Sequence, residues 1–322
     1  METVATLLAN AEKVLITGHV KADGDCLGTE SVLFHLCKAM GKDVRVMNPD
    51  APDSRFAFLA EYCDFEVFDQ EVGIPTFDLA FVCDCSVLSR LGALGVELAA
   101  ASGNRVVVDH HPLDQAEPGL WQAMILEPTA AASGLLAVRF AEHLGVELPL
   151  PALEAAFAAI AADTGWFKYS NADSPAWECA AKLVEGGVVP DTLYRAIHQN
   201  SLQEHPKGIG LALSNVEYFS EGRVAMTKIS QAELQSAGAI LDDTDEVLDI
   251  LRAVKTVDAV AVLLERTGGS VKASLRSKVD TDVRAIATRL GGGGHVRASG
   301  ISFQEGVSLE EAWDLLRREL CV

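Results

Sequence analysis

The chain has 322 residues, of which 49% are hydrophobic and 22% are charged, and its formal net charge is −20 at pH 7. This composition is typical of a globular protein with room for two domains, and it excludes a disordered chain. The negative charge argues against long duplex nucleic acid as a partner, because duplex binding depends on Lys and Arg replacing counterions, but it permits a short anionic substrate held by metal ions.

The sequence predicts a cytoplasmic protein with no membrane partner. It begins Met-Glu-Thr-Val-Ala, without a signal peptide pattern, and no stretch is apolar for long enough to span a bilayer. The seven cysteines are an odd number and lack the paired spacing of zinc sites. We interpret them as reduced and mostly buried thiols.

The N-terminal part alternates apolar strands with helices. Strands are predicted at 14–16, 44–46, 78–86 and 105–108. Helices are predicted at about 3–11, 27–40, 55–59, 130–144, 153–162, 174–185 and 192–198. This alternation indicates an α/β domain with a parallel, doubly wound sheet.

Carboxylates and imidazoles follow three of these strands where the strands end. They are His19, Asp23 and Asp25 after the first strand, Asp84 after the third, and Asp109, His110 and His111 after the fourth. Asp25 could instead cap the next helix, but His19 and Asp23 would then be unexplained. Ligands of open α/β sheets bind at the carboxyl ends of the strands, so these side chains are expected at one edge. Their mixture of oxygen and nitrogen donors suits Mn, Zn or Fe rather than Ca.

Another carboxylate follows the Ala-rich helix predicted at 153–162. Asp163 would place a negative charge at a helix C-terminus, where the helix dipole disfavours it by a few tenths of a kcal/mol. A surface Asp is the alternative, but local rules fail most often at functional sites. Asp163 therefore joins the candidate metal ligands.

The C-terminal part is predicted to form a smaller α/β domain with a mixed sheet. The segment 203–218 contains Pro206 and Gly208 and is the expected linker, so the predicted domains are 1–202 and 219–322. Strands are predicted at 223–228, 257–265 and 270–277, and helices at 281–290 and 308–320. Gly268-Gly269 predicts a hairpin turn between two of these strands.

Four consecutive glycines, Gly291 to Gly294, precede His295 and Arg297. Glycine lets the backbone approach a ligand closely and present its N–H groups to an anion, and nearby His and Arg side chains, including Arg276, could add positive charge. A flexible hinge is the alternative interpretation, but a hinge needs no His and Arg beside it. The pattern therefore predicts an anion-binding segment.

Taken together, these motifs resemble those of the DHH-family phosphoesterases whose C-terminal half is a DHH-associated domain. Within that family the chain is most similar to small bacterial nano-RNases that also act as 3′-phosphoadenosine 5′-phosphate (pAp) phosphatases. The motifs, in order, are His19-x-x-x-Asp23-x-Asp25, Asp84, Asp109-His110-His111, Asp163-Thr164-Gly165 and Gly292-Gly293-Gly294-His295. The family usually has proline where this chain has Ala22, but a proline there would bind no metal.

The resemblance implies a site for two Mn²⁺ ions, with Mg²⁺ or another divalent ion as alternatives. His19 and Asp23 would bind one ion, and Asp25, His110 and Asp163 the other, with Asp84 between them. Asp109 would hold a histidine in the productive tautomer, and His111 would stabilise charge on the scissile phosphate. The implied substrate-binding residues are Arg276, Ser277, Gly293, Gly294, His295 and Arg297.

The resemblance also implies a manganese-dependent phosphoesterase that hydrolyses short oligoribonucleotides to mononucleotides, and pAp to AMP. Short single-stranded RNA, dinucleotides and pAp are the expected partners, and the protein is expected to be a monomer or homodimer. A hydrolase of linear or cyclic dinucleotide messengers and a nucleotide-binding module without turnover remain alternatives. Inorganic pyrophosphatases share the first domain but lack the Gly-Gly-Gly-His motif.

Overall fold

The structure is a computed structural model that describes residues 1–113, 119–241 and 243–321. The chain divides into two units, Met1–Asn200 and Ser201–Val322, and Val322 itself lies outside the described residues. The segment 203–218 contains a helix, His205–Ser214. Pro206 lies in the first turn of that helix, where the missing N–H has no partner to lose.

Among the described residues, the first unit has a six-stranded sheet whose neighbouring strands are all parallel. The strands are β1 (Lys13–Thr17), β2 (Asp43–Asn48), β3 (Phe65–Val67), β4 (Leu79–Cys83), β5 (Asn104–Asp109) and β6 (Ala123–Leu126). Their order is β3-β2-β1-β4-β5-β6, which confirms the predicted parallel, doubly wound sheet. In this order β1, β4 and β5 lie side by side, so the residues that follow these three strands come close together.

The helices of the first unit cover a fully buried sheet centre. They are α1 (Glu2–Asn10), α2 (Gly24–Ala39), α3 (Gly92–Ala100), α4 (Ser133–Leu144), α5 (Leu150–Asp163), α6 (Ser174–Glu185) and α7 (Pro190–His198), with 3₁₀ helices at Ser54–Glu61 and Leu88–Leu91. All five residues of β4 are buried, as expected for a parallel strand with both faces covered.

Close contact between α2, α4 and α5 depends on small residues. A Cβ on Gly28 would lie 2.5 Å from the carbonyl oxygen of Ala155 and 2.8 Å from Cβ of Ala159. A Cβ on Gly134 would lie 2.4 Å from the same Ala159 atom. The three helices therefore approach closely enough to bring the N-terminal ends of α2 and α4 together.

The second unit has a mixed sheet, as predicted. Its described strands are β7 (Glu217–Phe219), β8 (Val224–Ile229), β9 (Ala259–Glu265), β10 (Val271–Ser277), β11 (Gly293–His295) and β12 (Ala298–Ser302), in the order β11-β12-β10-β9-β8-β7. Strands β8 and β9 are parallel, and the other described pairs are antiparallel. The helices are α8 (His205–Ser214), α9 (Gln231–Ala237), α10 (Asp245–Arg252), α11 (Val283–Arg289) and α12 (Leu309–Leu320).

The last two glycines of the glycine-rich stretch and His295 form the short strand β11. Gly293, Gly294 and His295 pair with Gly300, Ser299 and Ala298 of β12. Gly294 has φ +132°, and a Cβ there would lie 2.6 Å from the carbonyl oxygen of Ala298, so the pairing requires glycine. Among the described residues, β11 is an edge strand of this sheet.

None of the helices in the described ranges combines the length and apolar character needed to cross a membrane. The seven cysteines are free thiols, and six of them are buried, as the sequence predicted.

Candidate active site

The predicted metal ligands of the first unit lie together at the carboxyl ends of β1, β4 and β5. Three groups of side chains have ligand atoms within 4.8 Å of one another. The groups are His19 with Asp23 and Asp84, Asp25 with His110 and Asp163, and Asp84 with His110 and His111. All six residues predicted to bind metal therefore belong to one cluster.

The loop after β1 is shaped by Asp23, which caps α2. Its Oδ1 accepts hydrogen bonds of 3.1 Å from the N–H groups of Asp25 and Cys26. The expectation that Asp25 could be the cap is wrong, because α2 begins at Gly24, three residues earlier than predicted. Oδ2 of Asp23 lies 4.0 Å from Nε2 of His19, so one oxygen holds the helix and the other faces the cluster.

Asp25 is fully buried and contacts the start of α4 instead. It accepts hydrogen bonds of 2.6 Å from the N–H of Ser133 and 2.8 Å from the N–H of Gly134. These N–H groups lie at the positive end of the α4 dipole, which favours a carboxylate. Burial nevertheless raises the pKa of Asp25 well above its usual value, and the charges of Asp84 and Asp163 raise it further. A divalent cation would offset this repulsion.

Asp84 lies at the centre of the cluster, with its two oxygens facing different histidines. Oδ2 is 3.5 Å from Nε2 of His19, and Oδ1 is 3.6 Å from Nε2 of His110. The Ser133 hydroxyl also donates to Oδ1 at 2.8 Å. Asp84 has φ 55°, a conformation that Asp adopts more readily than most residues. Burial opposes ionisation, but the three histidines, His19 foremost, hold the pKa of Asp84 below its usual range.

His110 is oriented by backbone on one side and by Asp163 on the other. Its Nδ1 donates to the carbonyl oxygen of Ala130 at 3.0 Å, and its Nε2 lies 2.9 Å from Oδ2 of Asp163. Burial alone would lower the pKa of His110, but Asp163 and the nearby carboxylates Asp25 and Asp84 raise it well above its usual value. The Nδ1 contact leaves Nε2 to face the cluster, as a metal-binding histidine requires.

Asp163 ends α5, and the two residues that follow it explain the motif. The Thr164 hydroxyl donates to the carbonyl oxygen of Ile160 at 2.6 Å and accepts from the N–H of Phe167 at 3.1 Å. Gly165 has φ +55°, and a Cβ there would lie 2.4 Å from the Tyr169 ring. Thr164 and Gly165 thus turn the chain directly after Asp163 and hold the Asp163 backbone in place.

Asp109 contacts His111 rather than another candidate ligand. Its Oδ1 accepts from the His111 backbone N–H at 2.9 Å and lies 2.8 Å from Nδ1 of the same residue. This contact assigns the proton to Nδ1 of His111 and fixes the plane of its ring. Burial lowers the pKa of His111, but Asp109 and Asp84 together raise it above its usual value.

The donors fit divalent ions of the Mn²⁺ type. Asp23, Asp25, Asp84 and Asp163 supply carboxylate oxygens, and His19 and His110 present Nε2 because their Nδ1 atoms contact backbone carbonyl oxygens at 3.0 Å. The negative charges of these crowded carboxylates repel one another, and a bound cation would offset that repulsion. The mixture of oxygen and nitrogen donors suits first-row divalent metals.

Binding of Mn²⁺ is expected to release protons and to become tighter as pH rises. Nearby carboxylates raise the pKa of His110 to about 11, so it carries a proton near neutral pH that a metal ion must displace, and burial also raises the pKa of Asp25. Calorimetric titration in buffers of different ionisation enthalpy should show about one proton or more released per protein, and a lower Kd at about pH 8 than at about pH 6. Mn²⁺ binding that is independent of pH would contradict this expectation.

In the second unit, four of the predicted substrate-binding residues, Arg276, Gly293, Gly294 and His295, lie on β10 and β11, the two strands that flank β12. Ala298 pairs with Arg276 on one side and with His295 on the other. Directly paired residues share a face, so Arg276 and His295 lie on the same face, about 10 Å apart, with a small side chain between them. Gly293 and Gly294 form the adjacent edge strand.

The two remaining predicted residues make local contacts. Ser277 is 2% exposed, and its hydroxyl donates to the carbonyl oxygen of Thr281 at 2.6 Å. Arg297, in the turn between β11 and β12, donates to the same carbonyl oxygen at 3.2 Å. The side chain of Ser277 therefore faces the interior, whereas Arg297 is exposed.

Ser133 and Gly134 belong to the site, although sequence reasoning did not assign them to it. Their N–H groups bind Asp25 and the Ser133 hydroxyl binds Asp84. A Ser-Gly pair at a helix start is common for local reasons, so only the close approach of α2 and α4 reveals this role.

Comparison with known families gives two separate matches. Residues 13–161 match the DHH family, N-terminal domain, and residues 222–320 match the DHHA1 domain. The first match covers the predicted metal ligands except Asp163, and the second covers the Gly-rich edge strand.

Relatives and a solved structure extend over nearly the whole chain. The chain is 28% identical over 319 residues to the bifunctional oligoribonuclease and PAP phosphatase NrnA of Thermus thermophilus, covering 98% of this chain and 91% of that protein. It is 27% identical to the cyclic-di-AMP phosphodiesterase GdpP of Geobacillus thermodenitrificans, covering 98% of this chain but 48% of GdpP. The crystal structure of an exopolyphosphatase-related protein from Bacteroides fragilis matches with a TM-score of 0.91 at 24% identity, covering 99% of this chain and 94% of that one, which supports the fold alone.

Proposed function

This chain belongs to the DHH family and carries a DHHA1 domain, as its motifs predicted, and we propose that it is a phosphoesterase that hydrolyses short oligoribonucleotides to mononucleotides and pAp to AMP. The observation that carries the proposal is the cluster of carboxylates and histidines at the ends of three neighbouring parallel strands. The likeness to the Thermus thermophilus enzyme, which spans 98% of this chain, supports the substrate class.

We assign the cluster to two divalent ions, with Mn²⁺ as the proposed metal and Mg²⁺ as an alternative. His19 and Asp23 would hold one ion, Asp25, His110 and Asp163 the other, and Asp84 both, since its two oxygens face opposite halves of the cluster. Ions held by these residues would supply a water of lowered pKa and would neutralise negative charge on the phosphoryl oxygens.

The chain's own residues orient the reacting groups. Asp109 holds the His111 ring through a 2.8 Å contact between its Oδ1 and Nδ1 of the ring. The raised pKa of His111 favours its cationic form near neutral pH, so it can stabilise negative charge on the scissile phosphate. We therefore propose that Asp109 acts through His111 and that His111 contacts substrate.

We propose that the sheet edge of the second unit binds the terminal phosphate or base of the substrate. Arg276 and His295 supply positive charge on one face, and Gly293 and Gly294 form an edge strand without side chains, which a phosphate can approach closely. Arg297 adds a further charge, and Ser277 contributes by holding the Thr281 carbonyl oxygen. Such a site needs no long basic groove, in keeping with the net charge of −20.

A cytoplasmic location fits this proposal, because short RNA and pAp are intracellular substrates and all seven cysteines are free thiols. The proposed partners are these small substrates, with the protein acting as a monomer or homodimer.

Three substrates should be compared side by side with Mn²⁺: pAp, scored by phosphate release; a 5′-phosphorylated diribonucleotide, scored by mononucleotide release; and cyclic di-AMP, scored by formation of the linear dinucleotide. Turnover of pAp and the diribonucleotide is the expected result. The cyclic substrate is included because of the 27% identity to a cyclic-di-AMP phosphodiesterase. Turnover of the cyclic substrate alone would favour that second activity, and tight pAp binding without any turnover would favour a nucleotide-binding module.

A further inference from the structure

A fully buried carboxyl group that the proposed reaction does not use lies beside β1. Glu30, on α2, has no exposed surface. Its Oε2 accepts a hydrogen bond of 2.7 Å from Nδ2 of Asn48, the last residue of β2, which is 1% exposed. Burying an ionisable side chain is unfavourable unless it is hydrogen-bonded, and Asn48 supplies that hydrogen bond.

The second polar atom of Asn48 reaches the backbone next to a candidate metal ligand. Oδ1 of Asn48 accepts a hydrogen bond of 3.0 Å from the N–H of Gly18, which immediately precedes His19. An asparagine amide has one acceptor end and one donor end. Because Glu30 accepts from the NH₂ end, it fixes the amide in the orientation that presents oxygen to Gly18.

The other side of Gly18 is held by the same carboxyl group. A Cβ on Gly18 would lie 2.0 Å from Sγ of Cys26 and 2.6 Å from Oε1 of Glu30. Glu30 and Cys26 thus pack directly against the Gly18 Cα, while Asn48 holds its N–H. The backbone is therefore fixed on two sides at the point where β1 ends and the His19 loop begins.

The His19 ring is placed by this fixed backbone. Its Nδ1 contacts the carbonyl oxygen of Val20 at 3.0 Å, and its Nε2 lies 3.5 Å from Oδ2 of Asp84. The distance between the ring and Asp84 depends directly on the position of the His19 main chain. A shift at Gly18 would therefore move Nε2 relative to Asp23 and Asp84.

We propose that Glu30 and Asn48 are positioning residues. They hold the His19 imidazole where it can bind a divalent cation together with Asp23 and Asp84. This inference rests on the proposed metal role of His19. The pair acts through the backbone of Gly18 and touches neither metal nor substrate. Burial raises the pKa of Glu30 to about 8, against the opposing effect of its Asn48 bond, so the carboxyl group is mostly neutral at pH 7 and glutamine is a close substitute.

The test compares Mn²⁺ binding by Glu30→Gln, Glu30→Leu and Asn48→Leu with that of the unchanged chain. The matched control is Thr227→Val in the second unit, which removes a buried hydroxyl that donates to the Ala212 carbonyl oxygen at 2.7 Å. Calorimetry and the paramagnetic resonance spectrum of bound Mn²⁺ are the readouts. Removing a residue that holds a metal ligand in place without touching the metal typically weakens metal binding by about 10–100-fold.

One of the two ions should bind about 10–100-fold more weakly in both leucine variants, with the other unchanged. Glu30→Gln should bind both ions normally, because its amide oxygen still accepts from Asn48. Wild-type affinities in both folded leucine variants, or equal weakening in Thr227→Val, would overturn the proposal. If the leucine variants do not fold, Glu30→Ala and Asn48→Ala replace them, and failure of these to fold would assign the pair to stability and also overturn it.

Hydrolysis of the diribonucleotide by the unchanged protein is measured in the same preparation. If that protein neither binds Mn²⁺ nor turns over substrate, the proposed function fails. If it does both and the variants bind Mn²⁺ as it does, only the positioning role fails.

Discussion

Replacing Asp84 with alanine is expected to abolish hydrolysis of both pAp and the diribonucleotide. Asp84 is the residue whose two oxygens face different halves of the cluster, at 3.5 Å from His19 and 3.6 Å from His110. Its removal should disrupt both proposed ion sites at once. We expect kcat with Mn²⁺ to fall by about 10³-fold or more, equivalent to ~4 kcal/mol of transition-state stabilisation.

The matched control lies at the other end of the same strand. Asp78 immediately precedes β4 and accepts hydrogen bonds from the N–H groups of Glu12 and Lys13 at 2.9 and 2.8 Å. Asp78→Ala should therefore lower thermal stability while kcat stays close to that of the unchanged protein. If Asp84→Ala kept its activity with a normal circular dichroism spectrum, the assignment of the active site would be wrong.

The positions of the metal-ligand candidates other than Asp163 were predictable because these residues follow apolar strands. A parallel sheet places the carboxyl ends of its strands at one edge, so Asp84 and Asp109 were expected near each other. That β1, β4 and β5 are direct neighbours comes from the sheet order, which sequence alone does not state. Adjacent strands bring His19, Asp84 and His110 within a single cluster.

Contacts between distant parts of the chain were not predictable. Asp25 binds the N–H groups of Ser133 and Gly134, more than one hundred residues away. From sequence, Asp25 was a plausible cap of its own helix, and Asp23 in fact has that role. Two nearby carboxylates satisfy the same local capping rule, so only tertiary packing distinguishes them.

Weak or atypical patterns account for some of the missed parts of the fold, although α9 and α10, whose helix patterns are ordinary, were also not predicted. Helix α2 is buried on nearly all sides from Gly24 to Leu33, so it lacks the amphipathic period that marks a helix start. The edge strands β3 and β11 have only three residues each, and β11 is rich in glycine. Their strand conformation depends on pairing with neighbours rather than on intrinsic preference.

Replacing Arg276 with alanine is expected to raise KM for the diribonucleotide and for pAp by about 10–100-fold while changing kcat little. A charged hydrogen bond to phosphate contributes about 1.5–3 kcal/mol, and a contact present equally in the bound substrate and the transition state affects KM alone. The side chain is 22% exposed and is held by Asp245 at 2.8 Å, so the guanidinium is oriented in advance. Steady-state kinetics with both substrates measure the effect.

Lys272→Ala tests whether the effect is specific to Arg276 or a general loss of positive charge. Both residues are on β10 and, four positions apart, share a face at a separation of about 13 Å. Only Arg276 pairs with Ala298, and therefore lies across from His295 on β11. If substrate is bound by this pair, the lysine variant should keep the unchanged KM. An equal rise of KM in both variants would mean that β10 acts only through long-range electrostatics. A fall in kcat without a change in KM in Arg276→Ala would instead mean that Arg276 takes part in the reaction.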